Sequence, residues 1–428
     1  MNPLLNWLHP PVFCLLVYGL WRLGDGKQRN LVFWASLVFK LCCGLLLGWL
    51  YQRHLHGGDT WEYHRQALPL VELAKTHPQQ YLRFLFLNEV QGFSTSFAPY
   101  SNSFFFLKPL SLLYLLTGSS YWASGLYFSL FSFAGCWFLV RQVQKFYPAY
   151  GTAAVLAFLF FPSALFWTSG VFKDSILMGS LCFAVGFCLQ LTYAHRLRES
   201  GKILAGLLPA VYLFWKIKFF LAAVLVVLLG TFLLVVWLRR RMRWLQSGWR
   251  QFLLWITLLG MGAAGATFAH PTFNLGFFAR HVLWNYRNIL AASDPSKPHL
   301  LFPDLEPAVP SLVQHAPEAV VQMLVRPFVW EGGPIFYRLA GLENLLILAL
   351  LLLTVVHLLK TKKLPPLPSF LAVLLVFFVI SAVLVTLPTP NLGSLHRYRA
   401  PLLPFFLMVV LAWGPIPGWF AWLQKRRG

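Results

Sequence analysis

LVFWASLVFKLCCGLLLGWLY (31–51), followed a few residues later by Gly57-Gly58-Asp59-Thr60-Trp61-Glu62-Tyr63-His64, decides how this chain is built. The first segment is long enough to cross a ~30 Å hydrocarbon core, which takes about twenty apolar residues. Backbone polar groups find no partner in lipid, so such a run must be a helix or a barrel strand. It is continuous and lacks period-two alternation, which selects the helix. The second segment places two carboxylates and a histidine, behind two glycines, at the mouth of that helix.

The same pattern recurs along the chain. Its 428 residues are 58% hydrophobic and only 11% charged, whereas soluble domains carry about a quarter charged residues. The apolar runs predict an all-α polytopic membrane protein, one integral-membrane domain over 1–428. About eleven transmembrane helices are expected, at 4–21, 31–51, 121–140, 150–168, 175–194, 203–215, 219–238, 251–270, 343–359, 370–387 and 400–423. Residues 103–118 are also apolar but contain Lys108 and Pro109, and are expected to lie at the interface. Basic clusters at Arg22/Lys27/Arg29, Arg141/Lys145, Arg196/Arg198/Lys202, Arg239–Arg243 with Arg250, Lys360/Lys362/Lys363 and Lys425/Arg426/Arg427 fall on every second connection. By the positive-inside rule these connections are cytoplasmic. The net charge of +22 is then largely an orientation signal and implies no nucleic-acid partner. The six cysteines sit in apolar helices without zinc spacing, as small packing residues.

Three segments are left outside: 52–120, 271–342 and 388–399. Of the thirteen acids, only Asp25 and Glu199 fall inside. The first outer loop is expected to carry interfacial helices at 64–74 and 81–90. Asp59 and Glu62, three residues apart, share a helix face if Thr60 starts a helix. Asp59 then serves as an N-cap or as a general base taking a proton from an acceptor hydroxyl. Gly57 and Gly58 let the backbone turn there, and His64 adds a hydrogen-bonding group.

Candidate anion-binding residues follow. Lys173 and Asp174 open the fifth span, where an acid suits the helix macrodipole; they form a local ion pair, or Lys173 faces a phosphate while Asp174 orients it. Lys216 and Lys218 either snorkel or meet a phosphate head group. Arg326, Trp330 and Glu331 lie together in the large loop. Trp330 is an interface anchor or a platform for a sugar ring, and Glu331 is a second acid or the partner of Arg326. His396, Arg397 and Arg399 crowd basic groups onto the outer end of the last span, against the positive-inside trend. A phosphate is the simplest partner, since Arg offers planar bidentate donors; pairing with outer acids is the other.

The Asp59-x-x-x-Tyr63 loop after an early span, the Lys173-Asp174 helix opening and the Arg397-Tyr398-Arg399-x-Pro401 entry to the final span resemble the GT-C superfamily of integral-membrane glycosyltransferases. That resemblance implies a polyprenyl-phosphate-linked sugar donor, a lipid, glycan or protein acceptor, and transfer on the extracytoplasmic face; the scarcity of cysteines in the outer loops points to a bacterial inner membrane. Asp59 and Glu62 would be catalytic. Lys173, Lys218, Arg326, His396, Arg397 and Arg399 would hold the donor phosphate, and His64, Asp174, Trp330 and Glu331 would contact substrate. Residues from positions 59 and 397 are expected on one pocket. No cofactor is required, because the basic side chains supply positive charge, although the carboxylates leave room for a divalent cation. An envelope polysaccharide polymerase or ligase using an undecaprenyl-pyrophosphate-linked glycan, and a lipid-linked glycan transporter, are the competing readings.

Overall fold

The structure, a computed structural model, describes residues 3–24, 30–55, 57–91, 93–194, 196–269 and 274–419. Asp25, Lys27, Arg29, Lys425, Arg426 and Arg427 lie outside them, as do 270–273 and the predicted end of the last span beyond 419. The helices are α1 (Pro3–Leu23), α2 (Asn30–His54), α3 (Gly58–Thr76), α4 (Pro78–Leu87), α5 (Asn102–Thr117), α6 (Tyr121–Phe146), α7 (Gly151–Leu159), α8 (Pro162–Trp167) and α9 (Lys173–Tyr193). They continue as α10 (Leu197–Ile217), α11 (Phe219–Arg241), α12 (Gly248–Ala269), α13 (Leu275–Ala291), α14 (Val309–Val325), α15 (Ile335–Thr361), α16 (Ser369–Thr386), α17 (Leu392–Arg399) and α18 (Leu403–Trp413). No strand occurs among the described residues, only an isolated antiparallel bridge between His299 and Asn391.

Seven of the described helices are long and apolar enough to cross a membrane: α2, α6, α9, α10, α11, α15 and α16. An eighth span results if α17 and α18, bent by 66°, act as one. The chain is an all-helical polytopic membrane protein.

Several elements differ from the sequence expectation for local reasons. The run at 150–168 is two helices, because Pro162 has no amide proton to donate and holds Phe161 extended, at φ −72° and ψ 125°. The helices of the first outer loop are Gly58–Thr76 and Pro78–Leu87 rather than 64–74 and 81–90; Pro78 opens the second, and Asn88 ends it in the left-handed region at φ 60°. Helix α5 has 16 residues, short of the length that crosses a bilayer. Ser101 caps its start by accepting from the Phe104 amide at 3.1 Å, and Gly118 closes it at φ 64°.

The chain divides into two compact units. The first comprises Met1–Gly151, Phe158–Gln190 and His195–Ala222; the second comprises Thr152–Ala157, Leu191–Ala194 and Ala223–Gly428. In the first unit α2 buries Phe33, Ser36, Leu37, Lys40, Cys43, Gly44, Leu47, Gly48 and Tyr51. That three-and-four spacing makes one helix face. Lipid offers no hydrophobic drive for helices to associate, so close contact must come from small residues. Gly44 and Gly48 supply it: a Cβ on Gly44 would lie 3.0 Å from the Gly170 amide, and one on Gly48 would lie 2.7 Å from the Tyr121 ring. Helices α6 and α9 cross the same way, where a Cβ on Gly135 would lie 2.7 Å from the Gly179 Cα.

Lys40 is buried in this packing. Its ammonium bonds to the Thr168 hydroxyl and, at 3.3 Å, to the Leu165 carbonyl. These groups lie at the C-terminal end of α8, where a cation complements the helix dipole.

In the second unit α14, α15, α16 and α18 pack together, around buried Phe377, Phe378 and Phe405. The Thr354 hydroxyl joins α15 to α18 through the Val410 carbonyl at 3.0 Å. Gly341 lets the 328–329 backbone press on α15: a Cβ there would lie 2.7 Å from the Val329 amide.

Replacing Gly48 or Gly135 with leucine forces helix axes apart and is expected to cost about 1–3 kcal/mol or more. Gly19, which has open space where a Cβ would go, should tolerate leucine. Thermal unfolding in detergent checks this; equal melting temperatures for the three variants would contradict it.

Candidate functional site

In the first unit, the start of α3 is pinned before it presents any acid. The Gly57 amide donates to the Tyr51 carbonyl at 2.7 Å. Trp61 Nε1 donates to the Gly48 carbonyl at 3.1 Å, and the Tyr121 hydroxyl donates to Thr60 Oγ1 at 3.0 Å. Trp61 also stacks on Tyr121 with ring centres 4.2 Å apart. Gly57 is the N-cap, at φ 85°, a conformation that favours glycine. Of the two readings open for Asp59, the N-cap does not hold: the backbone turns at Gly57, and Asp59 sits exposed in the first helical turn. An acid there still complements the dipole.

Glu62 is engaged along its own helix. Arg65 Nε donates to Glu62 Oε2 at 3.1 Å, Arg65 Nη2 makes a shorter contact to the same oxygen, and Gln66 Nε2 donates to Oε1 at 2.8 Å. The Arg65 and Gln66 hydrogen bonds hold the Glu62 carboxyl below the usual carboxylate range. That makes it a fixed anion and a weak base. His64 is half-buried, with Nδ1 2.6 Å from the Tyr114 hydroxyl. Burial, and then the Arg65 charge, push its imidazole below the ordinary value, while burial pushes the Tyr114 phenol up. Both shifts favour neutral forms.

Lys173, the first residue of α9, reaches the start of α5. Its ammonium donates to Asn102 Oδ1 and Ser103 Oγ, each at 3.0 Å, and lies 5.6 Å from the centre of the Tyr63 ring. The Tyr63 hydroxyl is 3.4 Å from Ser103 Oγ. Asp59 stands one helical turn before Tyr63 on α3, so the two share a face. Asn102 in turn donates to the Ile217 carbonyl at 3.1 Å. This brings in the α10–α11 turn, where Lys218 lies 5.5 Å from the Phe220 ring centre and Lys216 lies 6.0 Å from that of Phe105. Lys108 of α5 donates to the Leu85 carbonyl and Asn88 Oδ1, both at 2.6 Å. Burial, and then the Lys216 charge, bring it down to about 8. Asp174 is buried in the first turn of α9.

The remaining expected residues belong to the second unit. Arg326 forms an ion pair with Glu331 and donates to the His299 carbonyl at 3.4 Å. Glu331 also accepts the Phe328 amide at 2.8 Å. Of the alternatives open for Glu331, it takes that of Arg326 partner. Trp330 stacks on Phe328 at 5.1 Å, with 78% of its surface exposed. Arg399 is fully buried. It donates to the Met323 carbonyl at 2.6 Å, to Asn344 Oδ1, and to Glu343 Oε1 at 3.4 Å. His396 Nε2 lies 3.5 Å from the same Glu343 oxygen. Asn344 donates to the Pro327 carbonyl at 2.8 Å. Arg399 is thus a cross-tie between α14, α15 and α17 in which its guanidinium is already engaged. Arg397 is half-buried, 5.1 Å from the Tyr398 ring centre.

Asn102, Ser103, Glu343 and Asn344 were missed in the sequence. The legible signal was Glu343 with Asn344, two polar groups opening a long apolar run. Asn102 and Ser103 carried none, since the sequence reads as polar-aromatic loop up to 102, where in the structure they open α5. Among the described residues no group of three or more His, Cys, Asp and Glu side chains could hold a metal ion.

Fold and polar sites together define the class: a polytopic α-helical membrane protein with an ordered cluster of ionisable groups in each unit. The chain matches no protein family model, no curated protein and no solved structure.

Arg399→Leu leaves Glu343 buried without its guanidinium, and is expected to cost about 3–5 kcal/mol of stability. Arg399→Lys should recover part of that through its charge. Unfolding of the three proteins in detergent measures it; a leucine variant as stable as the parent would contradict the cross-tie. His64 gives a pH signature. Its imidazole is depressed in the fold below the unfolded value of ~6.5, so the unfolded chain takes up a proton that the fold refuses. Its stabilisation is full above ~6.5 and is lost as the pH falls toward the folded value. Melting temperature should therefore drop more between pH 8 and pH 5 in the parent than in His64→Gln. The reverse order would contradict the shift.

Proposed function

We propose that this chain is a membrane glycosyltransferase that moves a sugar from a polyprenyl-phosphate donor to an acceptor on the extracytoplasmic face. In this reading it has about eleven spans in a GT-C-like arrangement and works in a bacterial inner membrane, with its active site facing the exterior. The observation that carries the reading is Lys173, oriented by Asn102 and Ser103 against Tyr63, one helical turn from Asp59, with Lys216 and Lys218 on the neighbouring turn.

The chemistry follows from what each group can do. The acceptor oxygen attacks the anomeric carbon, and the bond from that carbon to the phosphate oxygen breaks with inversion. Asp59 takes the acceptor proton as general base. The lipid phosphate leaves as an anion and needs positive charge in place before the bond breaks. Preorganised donors do this at little cost at the moment of reaction, and Lys173 and Lys218 fill that role. Glu62, held by Arg65, orients the acceptor rather than taking the proton, and His64 with Tyr114 provides a neutral hydrogen-bonding wall. Asp174, buried in the same first turn of α9, orients Lys173. In the second unit, Trp330 offers an exposed ring for a sugar face and Arg397 a cation for an anionic group. Arg326, His396 and Arg399 hold the loop and helix that carry them. No metal is needed in this scheme, since the lysines supply the positive charge.

A lipid-linked glycan transporter is disfavoured by Lys40. An intramembrane cation is by default a functional candidate, but this one is accounted for by the end of α8. A polymerase or ligase using a pyrophosphate-linked glycan predicts activity that survives Asp59→Asn and is lost in Arg397→Ala.

Purified protein should bind undecaprenyl phosphate, and Lys173→Ala should weaken that binding at least tenfold. Asp59→Asn should leave the binding intact while slowing sugar transfer in native membranes by about 10²–10⁴-fold. Unchanged lipid-phosphate binding in Lys173→Ala, or unchanged transfer in Asp59→Asn, would overturn the assignment.

A further inference from the structure

Cys136 of α6 and Cys182 of α9 meet at a helix crossing, with their sulfurs 3.9 Å apart. They are 46 residues apart in the chain, and both are buried. Two glycines set the crossing. Gly135 directly precedes Cys136, and Gly179 stands three residues before Cys182. A Cβ on Gly135 would lie 2.7 Å from the Gly179 Cα, and one on Gly179 would lie 2.9 Å from the Phe131 carbonyl oxygen. The two backbones are in contact at this level, so the thiols stay together unless the helices separate.

A third helix brings a cation to the pair. Lys40 of α2 is buried and bonds to the Thr168 hydroxyl. Ser132 Oγ lies 3.5 Å from that hydroxyl oxygen, and Ser132 stands one turn before Cys136 on the same face of α6. Thr168 and the Leu165 carbonyl satisfy the hydrogen bonds of the ammonium, but both are neutral. The ionisable side chains on which its charge acts are Cys136, Cys43 and Cys182. Close packing of helices in lipid asks for small residues, and glycine, alanine or serine meets that need. It does not ask for two sulfurs in contact beside a buried cation. That combination suits thiol chemistry, in which the thiolate is the reacting form and a neighbouring cation compensates its charge.

We propose that Cys136 and Cys182 form a redox site that hydrogen peroxide oxidises to a disulfide, joining α6 to α9. The site is enclosed, so it takes a small uncharged oxidant. The Cys136 sulfur attacks one peroxide oxygen and the O–O bond breaks, leaving a sulfenic acid and one water. The Cys182 sulfur then attacks the sulfenic sulfur; the S–S bond forms, the S–O bond breaks and a second water leaves. Two thiols give up two electrons and two protons, and one peroxide becomes two waters. The bond ties α9, the helix that opens with Lys173, to α6. It closes a long loop and so removes freedom from the unfolded chain. The site stands independently of the transferase reading, because neither thiol has a part in that chemistry.

The test uses the full chain in phosphatidylcholine nanodiscs. It is treated with hydrogen peroxide, denatured in N-ethylmaleimide to block the remaining thiols, digested and read by mass spectrometry. A peptide pair joined through Cys136 and Cys182 is expected, at least tenfold more abundant than before treatment and than any other cysteine pair, and released by dithiothreitol. A chain unfolded in urea and dodecyl sulfate before the peroxide is added should lose that preference. The oxidised parent should melt above the reduced parent, and Cys136→Ser should show no such shift. Lys40→Met, which keeps the length of the side chain and removes its charge, should be oxidised at least tenfold more slowly. Absence of the linked peptide, equal formation in the unfolded chain, or sulfinic acid at both sulfurs in place of the bond would overturn the proposal. So would a Lys40→Met chain that melts with the parent and is oxidised at the parent's rate.

Discussion

A polar group taken out of water has to find its partner inside the protein, and this constraint shapes the cation sites of the chain. Lys40 meets it with the Thr168 hydroxyl and the Leu165 carbonyl at the end of α8. Arg399 meets it with a carbonyl, an amide and a carboxylate drawn from α14 and α15. Lys173 meets it at the start of α5, through Asn102 and Ser103. Each arrangement fixes a cation at a helix end, and each requires neighbouring backbones to come close. The glycines at 44, 48, 135 and 341 make that approach by leaving out a side chain.

The sites divide by what the cation does once placed. Arg399 and Arg326 each join a carboxylate within their own unit, Glu343 and Glu331, and their forks hold α15, α17 and the 323–331 segment in register. Their contribution is to structure, since a buried ion pair is expensive to break and modest in net stabilisation. Lys173 donates to Asn102 and Ser103 beside the Tyr63 ring, next to a turn carrying two more lysines. On α3, Glu62 pairs with Arg65, and Asp59 is exposed on a turn pinned through Tyr51, Thr60 and Trp61. A rigid mounting for an exposed acid is what proton transfer requires of its surroundings.

The class of fold was legible because period and length of apolar runs follow directly from the lipid. Helix ends were less so. Proline at 162 splits a run that hydropathy joins, and Gly57 takes a cap that the Asp59 side chain alone suggested. The Gly44-x-x-x-Gly48 spacing, a known close-packing signature, was present in the sequence and passed over, because composition alone gives glycine no role in an apolar run. Arg326 with Glu331 was readable as a local pair. Arg399 was not readable as a cross-tie, since its partners lie more than fifty residues away and depend on how α14 and α15 meet. Asn102 and Ser103 gained their role only from the α9 lysine that reaches them.

The proposed function requires the exposed acid and the last basic turn to face the exterior. Single cysteines introduced at positions 59 and 397, in a chain whose own cysteines are replaced by serine, test this directly with a membrane-impermeant maleimide on intact cells. Both positions are expected to label without permeabilisation. A position that labels only after the membrane is opened would contradict it.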